Sequence, residues 1–130
     1  MEADVRLAGS SVMTPWQFGG LNSTLTQFIG GFNVAVDGRL QIITAGFPYT
    51  APIIARDVWN HYAVLYKFPS QTFDIYINGF LVAADKPFFT PQTVFARGDF
   101  ATFDTPNGND KGYIDNFQIG VVNAPPQRIP

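Results

Sequence analysis

Residues 59–84 carry three short apolar runs separated by brief turns, and no other stretch constrains the fold as tightly. Aromatic and β-branched residues dominate the runs at 59–67, 72–77 and 80–84. The second run ends at Asn78-Gly79, a dipeptide well suited to a two-residue hairpin turn. Because connections this short leave no room for a crossover, the pattern predicts three adjacent antiparallel strands.

Alternating segments also recur outside this meander. Residues 32–36 alternate, Asp37-Gly38 supplies a tight turn, and the pattern resumes at Arg39. Further extended patterns cover 92–103 and 113–121. Together with the meander they predict about eight strands and no amphipathic helix.

Composition agrees with one β-rich domain. The chain has 130 residues, 46% of them hydrophobic and 15% aromatic, which is enough for a core without disulfide bonds. We therefore predict an all-β fold, an antiparallel β-sandwich that forms one domain over residues 1–130. Its ends, about 1–31 and about 123–130, are expected to be extended segments, and the glycine and prolines of 44–52 predict a surface loop.

Charge excludes one class of partner. Only 14% of the residues are charged, the formal net charge is −2, and the eight Lys and Arg residues are scattered singly, so no nucleic-acid binding is expected.

The first thirty residues contain Glu2 and Asp4 and no long apolar run, so neither a signal peptide nor membrane insertion is expected in this chain.

Three motifs carry a resemblance to a known family. They are W-x-H-x-A-V-x-Y from Trp59, F-D-I-Y-I-N-G from Phe73 and G-Y-I-D-N-F-Q-I from Gly112. Over residues 32–121 the chain resembles the laminin G-like, concanavalin A-like lectin/glucanase superfamily. The resemblance implies a jelly-roll sandwich that binds glycans or proteins, with Trp59 in the core and Asp115-Asn116 securing a loop.

The stretch that precedes the family-like part of this chain is shorter than is usual in the family, and this bears on assembly. Few residues precede the matching part, which implies an abbreviated sandwich with an exposed sheet edge. Unpaired backbone groups at such an edge invite another strand, so a homo-oligomer or a larger assembly is one expected partner arrangement.

Catalysis is not expected. The acidic Glu-x-Asp-x-x-Glu motif of the glucanase branch is missing, and glycoside hydrolysis needs two facing carboxyl groups, whereas Glu2 is the single glutamate. His61 is the sole histidine and stands within an apolar strand. We interpret it as a core or half-buried histidine whose ring nitrogens are satisfied.

Strand alternation predicts a ligand-binding surface. Tyr62, Tyr66, Asp74, Tyr76 and Asn78 are expected to form one aromatic-polar patch, because rings cover the apolar faces of sugars and amides or carboxylates bind the hydroxyls. The alternative is a solvent- or partner-facing sheet with tyrosines that favour strands. Trp16 is a further candidate, either as a ligand-stacking ring or as an interface anchor.

A calcium site is the second candidate, and calcium is the single cofactor that the sequence suggests. Oxygen ligands cluster in a short glycine-containing stretch at Asp99, Asp104, Asn107, Asn109 and Asp110. The same residue types are also the ordinary residues of turns, so that alternative stays open.

The sequence favours a non-catalytic, lectin-like binding domain, extracellular or surface-associated, whose partner is a carbohydrate or a protein surface. The alternative is a structural or adhesive subunit of a surface layer, appendage or virion that self-associates through sheet edges and terminal arms.

Overall fold

The computed structural model describes residues 1–8, 16–22, 27–35, 37–102 and 111–121. The side chains of Ala8, Trp16, Ala101, Thr102 and Lys111 lie outside the described part. The predicted C-terminal segment, about 123–130, lies outside this range. The described residues form the strands β1 Glu2–Ala8, β2 Trp16–Leu21, β3 Phe28–Val34, β4 Arg39–Ile42, β5 Tyr49–Pro52, β6 Trp59–Lys67, β7 Thr72–Ile77, β8 Phe80–Pro87, β9 Arg97–Thr102 and β10 Lys111–Gln118.

The strands form two five-stranded antiparallel sheets. Sheet I has the order β10-β1-β6-β7-β8, and sheet II has the order β5-β4-β3-β2-β9. The prediction of an all-β, antiparallel β-sandwich is therefore confirmed. The described part of the chain contains no helix that is long and apolar enough to cross a membrane.

The central meander forms as predicted. Strands β6 and β7 have the predicted bounds, and β8 continues three residues past the predicted end at 84, to Pro87. Asn78 and Gly79 have φ angles of 52° and 79°, the left-handed values that a tight hairpin of this kind requires. Tyr62 pairs with Ile77, and Tyr66 pairs with Phe73.

Three strands lie where no strand was predicted. β1 and β2 lie within the first thirty-one residues, and β1 inserts between β10 and β6. The interpretation of 44–52 as a loop is wrong at its end, because Tyr49–Pro52 pairs with β4. A short edge strand tolerates Pro52, since an edge leaves one side of the backbone unpaired.

The hydrophobic core fills the space between the two sheets. Tyr62 is fully buried there, with its ring centre 5.5 Å from that of Phe18 and 5.2 Å from that of Phe32. Both sheets and the loops that join their strands contribute to the core, which contains Ala3, Val5, Leu7, Phe18, Ile29, Phe32, Val34, Leu40, Ile42, Ile54, Tyr62, Val64, Phe73, Ile75, Ile77, Ala83 and Phe88.

Glycines in sheet II let aromatic rings approach its backbone. Gly20 of β2 pairs with Gly30 of β3. A Cβ atom on Gly30 would lie 2.4 Å from the Phe73 ring, and one on Gly20 would lie 2.2 Å from the Phe95 ring. Any larger residue would push these rings out, so the paired glycines form a hollow that the rings fill.

Candidate functional site

The predicted aromatic-polar patch is split between the two faces of sheet I. Directly paired residues of neighbouring strands point to the same face, and Tyr62 and Tyr66 pair with the core residues Ile77 and Phe73. The expectation that these tyrosines share a surface with Asp74 is therefore wrong. Tyr62 has no exposed surface, so it cannot contact a ligand.

The two inward-facing tyrosines differ in their hydrogen bonds. The Tyr66 hydroxyl accepts a hydrogen bond from the Gly20 N–H at 2.7 Å and donates one to the Gly30 carbonyl at 2.5 Å. The Tyr62 hydroxyl is buried and has no partner. Burial raises the pKa of both phenols, so both stay protonated and neutral.

Asp74 and Tyr76 point away from the core but are nearly covered, each with 8% of its surface exposed. Asp74 Oδ1 accepts hydrogen bonds from Lys67 Nζ at 2.9 Å and from the Asp85 backbone N–H at 2.7 Å. Burial, and then the charge of Asp74, raise the pKa of Tyr76. These contacts stabilise the edge of sheet I and leave Asp74 little surface for a ligand.

Asn78 is exposed, yet its side chain is engaged in the hairpin. Its Oδ1 accepts a hydrogen bond from the His61 N–H at 2.8 Å, and its Nδ2 donates one to Asn60 Oδ1 at 3.0 Å. Its role in this structure is to hold the turn against the neighbouring strand.

A different set of residues forms an exposed aromatic surface. The face of sheet I that points away from sheet II, here called the outer face, carries Arg6 paired with Trp59 on one side and with Tyr113 on the other. Trp59 is 53% exposed and Tyr113 is 48% exposed. The prediction that Trp59 packs in the core is therefore wrong.

Arg6 is held in place between the two rings. Its guanidinium carbon lies 5.7 Å from the centre of the Tyr113 ring, a distance at which a cation and an aromatic ring attract. Its Nε donates a hydrogen bond to the Asp57 carbonyl at 3.3 Å, and its Nη2 lies 3.9 Å from an Asp57 carboxylate oxygen. Three strands thus present two rings with a fixed cation between them.

Two residues along β6 from Trp59, on the same outer face, His61 lies between two carboxylates. His61 Nδ1 lies 2.8 Å from Asp4 Oδ1, and Nε2 lies 3.2 Å from Glu2 Oε2. Asn116 Nδ2 donates a hydrogen bond to Asp4 Oδ2 at 2.7 Å. His61 is half-buried, as expected, and each of its ring nitrogens lies within hydrogen-bond distance of a carboxylate oxygen.

Hydrogen bonds stabilise the ionised form of Asp4. The bond from Asn116, and then the one from His61, lower the pKa of this carboxyl below its ordinary value. Asp115 Oδ1 accepts a hydrogen bond from the Asn116 N–H at 2.8 Å, so this Asp-Asn pair helps to order the strand beside Asp4. The outer face is therefore polar beside its two rings, with groups already oriented.

Alternation of apolar and polar residues over 2–7 was the signal that could have revealed this surface. Ala3, Val5 and Leu7 are buried, while the residues between them point outward. A strand there brings Asp4 and Arg6 beside β6. The pairing partner of that strand is a long-range feature that alternation alone does not provide.

Two other sequence predictions concern Trp16 and the calcium ligands. Trp16 is the first residue of β2, and its side chain lies outside the described part. Asp99 lies in β9, where Arg97 Nε is 3.0 Å from its Oδ1. The remaining predicted ligands, Asp104, Asn107, Asn109 and Asp110, lie outside the described residues.

Within the described ranges, no group of three or more His, Asp or Glu side chains is arranged to hold a metal ion. The proposed calcium loop falls mostly in the stretch between residues 102 and 111, so the calcium site stays a prediction.

Comparison with known proteins gives the chain no relatives from which to transfer a function. No family model matches it, and no curated protein and no solved structure matches it either.

Proposed function

We propose that this domain is a non-catalytic binding module that recognises carbohydrate through the outer face of sheet I. The observation that carries the proposal is the row of Tyr113, Arg6 and Trp59 across three neighbouring strands. The resemblance to laminin G-like and concanavalin A-like domains, with their jelly-roll topology, supports the same ligand class. A location outside the cell or at its surface belongs to this proposal.

The chemistry of the row suits a sugar. Because neighbouring strands lie about 4.8 Å apart, two rings separated by one strand stand roughly 10 Å from each other at the backbone. Exposed rings of Trp59 and Tyr113 offer flat apolar surfaces for the C–H faces of two sugar units. Arg6 between them offers N–H donors to hydroxyl oxygens.

Preorganisation supports binding at this face. The rings stand on paired strands rather than on loops, and Arg6 is already held by Tyr113 and Asp57. Arg6 therefore loses little side-chain freedom when a ligand binds, which favours affinity.

The acidic groups of this face support binding rather than hydrolysis. A retaining or inverting glycosidase needs one carboxyl group with a raised pKa to protonate the leaving group. Here Asp4 has a lowered pKa, and both Asp4 and Glu2 contact His61. Their arrangement favours a fixed, charged recognition surface.

A glycan array followed by titration calorimetry tests the proposal. We expect Trp59→Ala and Tyr113→Ala each to weaken binding about tenfold or more, equivalent to ~1.4 kcal/mol. Tyr49→Ala is the matched control, since Tyr49 is 51% exposed but lies on the edge strand of sheet II. Glycan binding that survives both outer-face variants, or a wild-type chain that binds no glycan, would contradict the proposal.

The same array, run with and without calcium, tests whether glycan binding requires calcium. Chelation that abolishes binding, together with a loss of binding in Asp104→Ala, would support the predicted calcium site. Binding that is equal under both conditions would exclude a calcium requirement.

A second function, a self-associating structural or adhesive subunit, is favoured by the strand β10. Among the described strands it is an edge of sheet I, and its apolar residues Ile114 and Phe117 are each 40% exposed. Ile119, directly after it, is 49% exposed. An edge that combines unpaired backbone with apolar side chains can pair with a second copy in antiparallel fashion.

Light scattering over a range of protein concentrations distinguishes the two functions. Self-association that Ile114→Lys abolishes, in a chain that binds no glycan, favours the structural role. A monomer at all concentrations excludes assembly through this edge.

A further inference from the structure

A cleft of about 570 Å³ opens beside the end of strand β6, away from the Trp59 row. It lies between the first residues of β1, the last residues of β6 and the segment that follows β10. Its lining residues are Met1, Glu2, Val64, Leu65, Tyr66, Phe68, Phe95, Gln118, Ile119, Gly120 and Val121. Its volume falls in the range of pockets that hold small organic molecules.

One wall of the cleft is rigid. The Tyr66 ring centre lies 5.2 Å from that of Phe95, and the Tyr66 hydroxyl is bonded to both Gly20 and Gly30. Phe95 in turn packs over Gly20, where a Cβ atom would collide with it. Because these rings are fixed by the core, the wall exists before any ligand arrives.

The lining offers few groups that can bind a polar ligand. The Tyr66 hydroxyl already accepts one hydrogen bond and donates its proton in another. Phe68, Phe95, Val64 and Ile119 contribute apolar side chains. A sugar would leave most of its hydroxyl groups without partners here, at a large desolvation cost.

Polar groups occur at one margin. Gln118 is exposed there and has an amide that can donate and accept hydrogen bonds. Glu2 and the N-terminal ammonium of Met1, which donates a hydrogen bond to the Val64 carbonyl at 3.0 Å, are opposite charges of the lining, so together they favour neither a cationic nor an anionic ligand.

We propose that this cleft binds an uncharged organic molecule with a hydrocarbon body and one neutral polar end. The hydrocarbon body packs against the Tyr66 and Phe95 wall, and the polar end lies at the Gln118 margin. This site is separate from the proposed carbohydrate surface, although Glu2 borders both.

Fluorescence titration with the neutral probe N-phenyl-1-naphthylamine tests the proposal on the full chain. We expect saturable enhancement with one probe per chain, and displacement by dodecanol at lower concentration than by laurate, whose carboxylate loses its hydration against a mostly apolar lining. Enhancement that does not saturate, or laurate displacing better than dodecanol, would overturn the proposal.

Matched variants locate the site. Ile119→Asp places a charge in the lining and is expected to weaken probe binding at least tenfold. Val94→Asp is the control, because Val94 is 47% exposed and does not line the cleft. Equal losses in the two variants would overturn the assignment, with circular dichroism showing that both are folded.

Two further measurements separate this site from the other proposals. Trp59→Ala is expected to leave probe binding unchanged, so a failure of carbohydrate binding does not affect this test. Probe binding that disappears as the protein dimerises would show that a second copy occupies the cleft and would overturn a small-molecule role.

Discussion

The hydroxyl of Tyr66 bonds to the backbone N–H of Gly20 at 2.7 Å, across the interior of the sandwich. The same hydroxyl donates to the Gly30 carbonyl, so one side chain of sheet I satisfies backbone groups on two strands of sheet II. This contact requires a tyrosine on one sheet and residues without side chains on the other. It couples the two layers by hydrogen bonds as well as by apolar packing.

Removal of this hydroxyl should destabilise the fold. In Tyr66→Phe the Gly20 N–H and the Gly30 carbonyl lose their partner, at an expected cost of about 1–3 kcal/mol. Tyr62→Phe is the matched control, because the buried Tyr62 hydroxyl has no partner, and its removal should be neutral or stabilising. Urea denaturation measures both free energies of unfolding. Equal losses would contradict the assigned difference.

The glycine hollow should not tolerate a methyl group. In Gly30→Ala the new Cβ atom would lie 2.4 Å from the buried Phe73 ring, so the ring must shift, at an expected cost of about 1–3 kcal/mol. Gly120→Ala is the control, since nothing lies within 4 Å of a Cβ atom there. Thermal unfolding compares the two variants, and an unchanged melting temperature in Gly30→Ala would show that the hollow has spare room.

Stability should depend on the ionisation of Asp4. Its pKa is lower in the folded protein than in the unfolded chain, so its contribution is present above about pH 4. That contribution is lost as the pH falls through the folded-state pKa. We expect Asp4→Asn to be less stable than wild type at pH 7 and the difference to shrink as the solution is acidified below about pH 4.

Denaturation curves at several pH values measure this difference. His61→Gln in the same series tests the second contact of Asp4. A stability gap between wild type and Asp4→Asn that is constant from pH 7 to pH 2 would exclude this role of the carboxylate.

Substitution of Asn78 should lower the free energy of unfolding in two separate ways. Asn78→Ala removes the bonds to His61 and Asn60 and also places alanine at a φ of 52°, so a loss of about 1–2 kcal/mol is expected. Asn78→Gly removes the same bonds without the left-handed strain and should lose less. Chemical denaturation ranks the stabilities of wild type and the two variants. A glycine variant less stable than the alanine variant would contradict the assignment of backbone strain to alanine at this position.

The sequence predicted an aromatic-polar face, and the structure has such a face made mostly of other residues. An aromatic-polar face exists on sheet I, and it carries Trp59 and Tyr113 where Tyr62 and Tyr66 were expected. Both faces of β6 carry large apolar residues, so alternation separated the two sets correctly without showing which set points inward. That choice depends on the layer that packs against the strand.

Local chemistry in the sequence determined the strands β6 and β7, the tight turn at Asn78-Gly79 and the β class, because side-chain period and turn residues act over a few positions. Only the tertiary structure decided that β1 lies between β10 and β6, and that Gly20 and Gly30 face Tyr66. These relationships join residues far apart in the chain. They follow from how two sheets exclude water together, which no short segment specifies by itself.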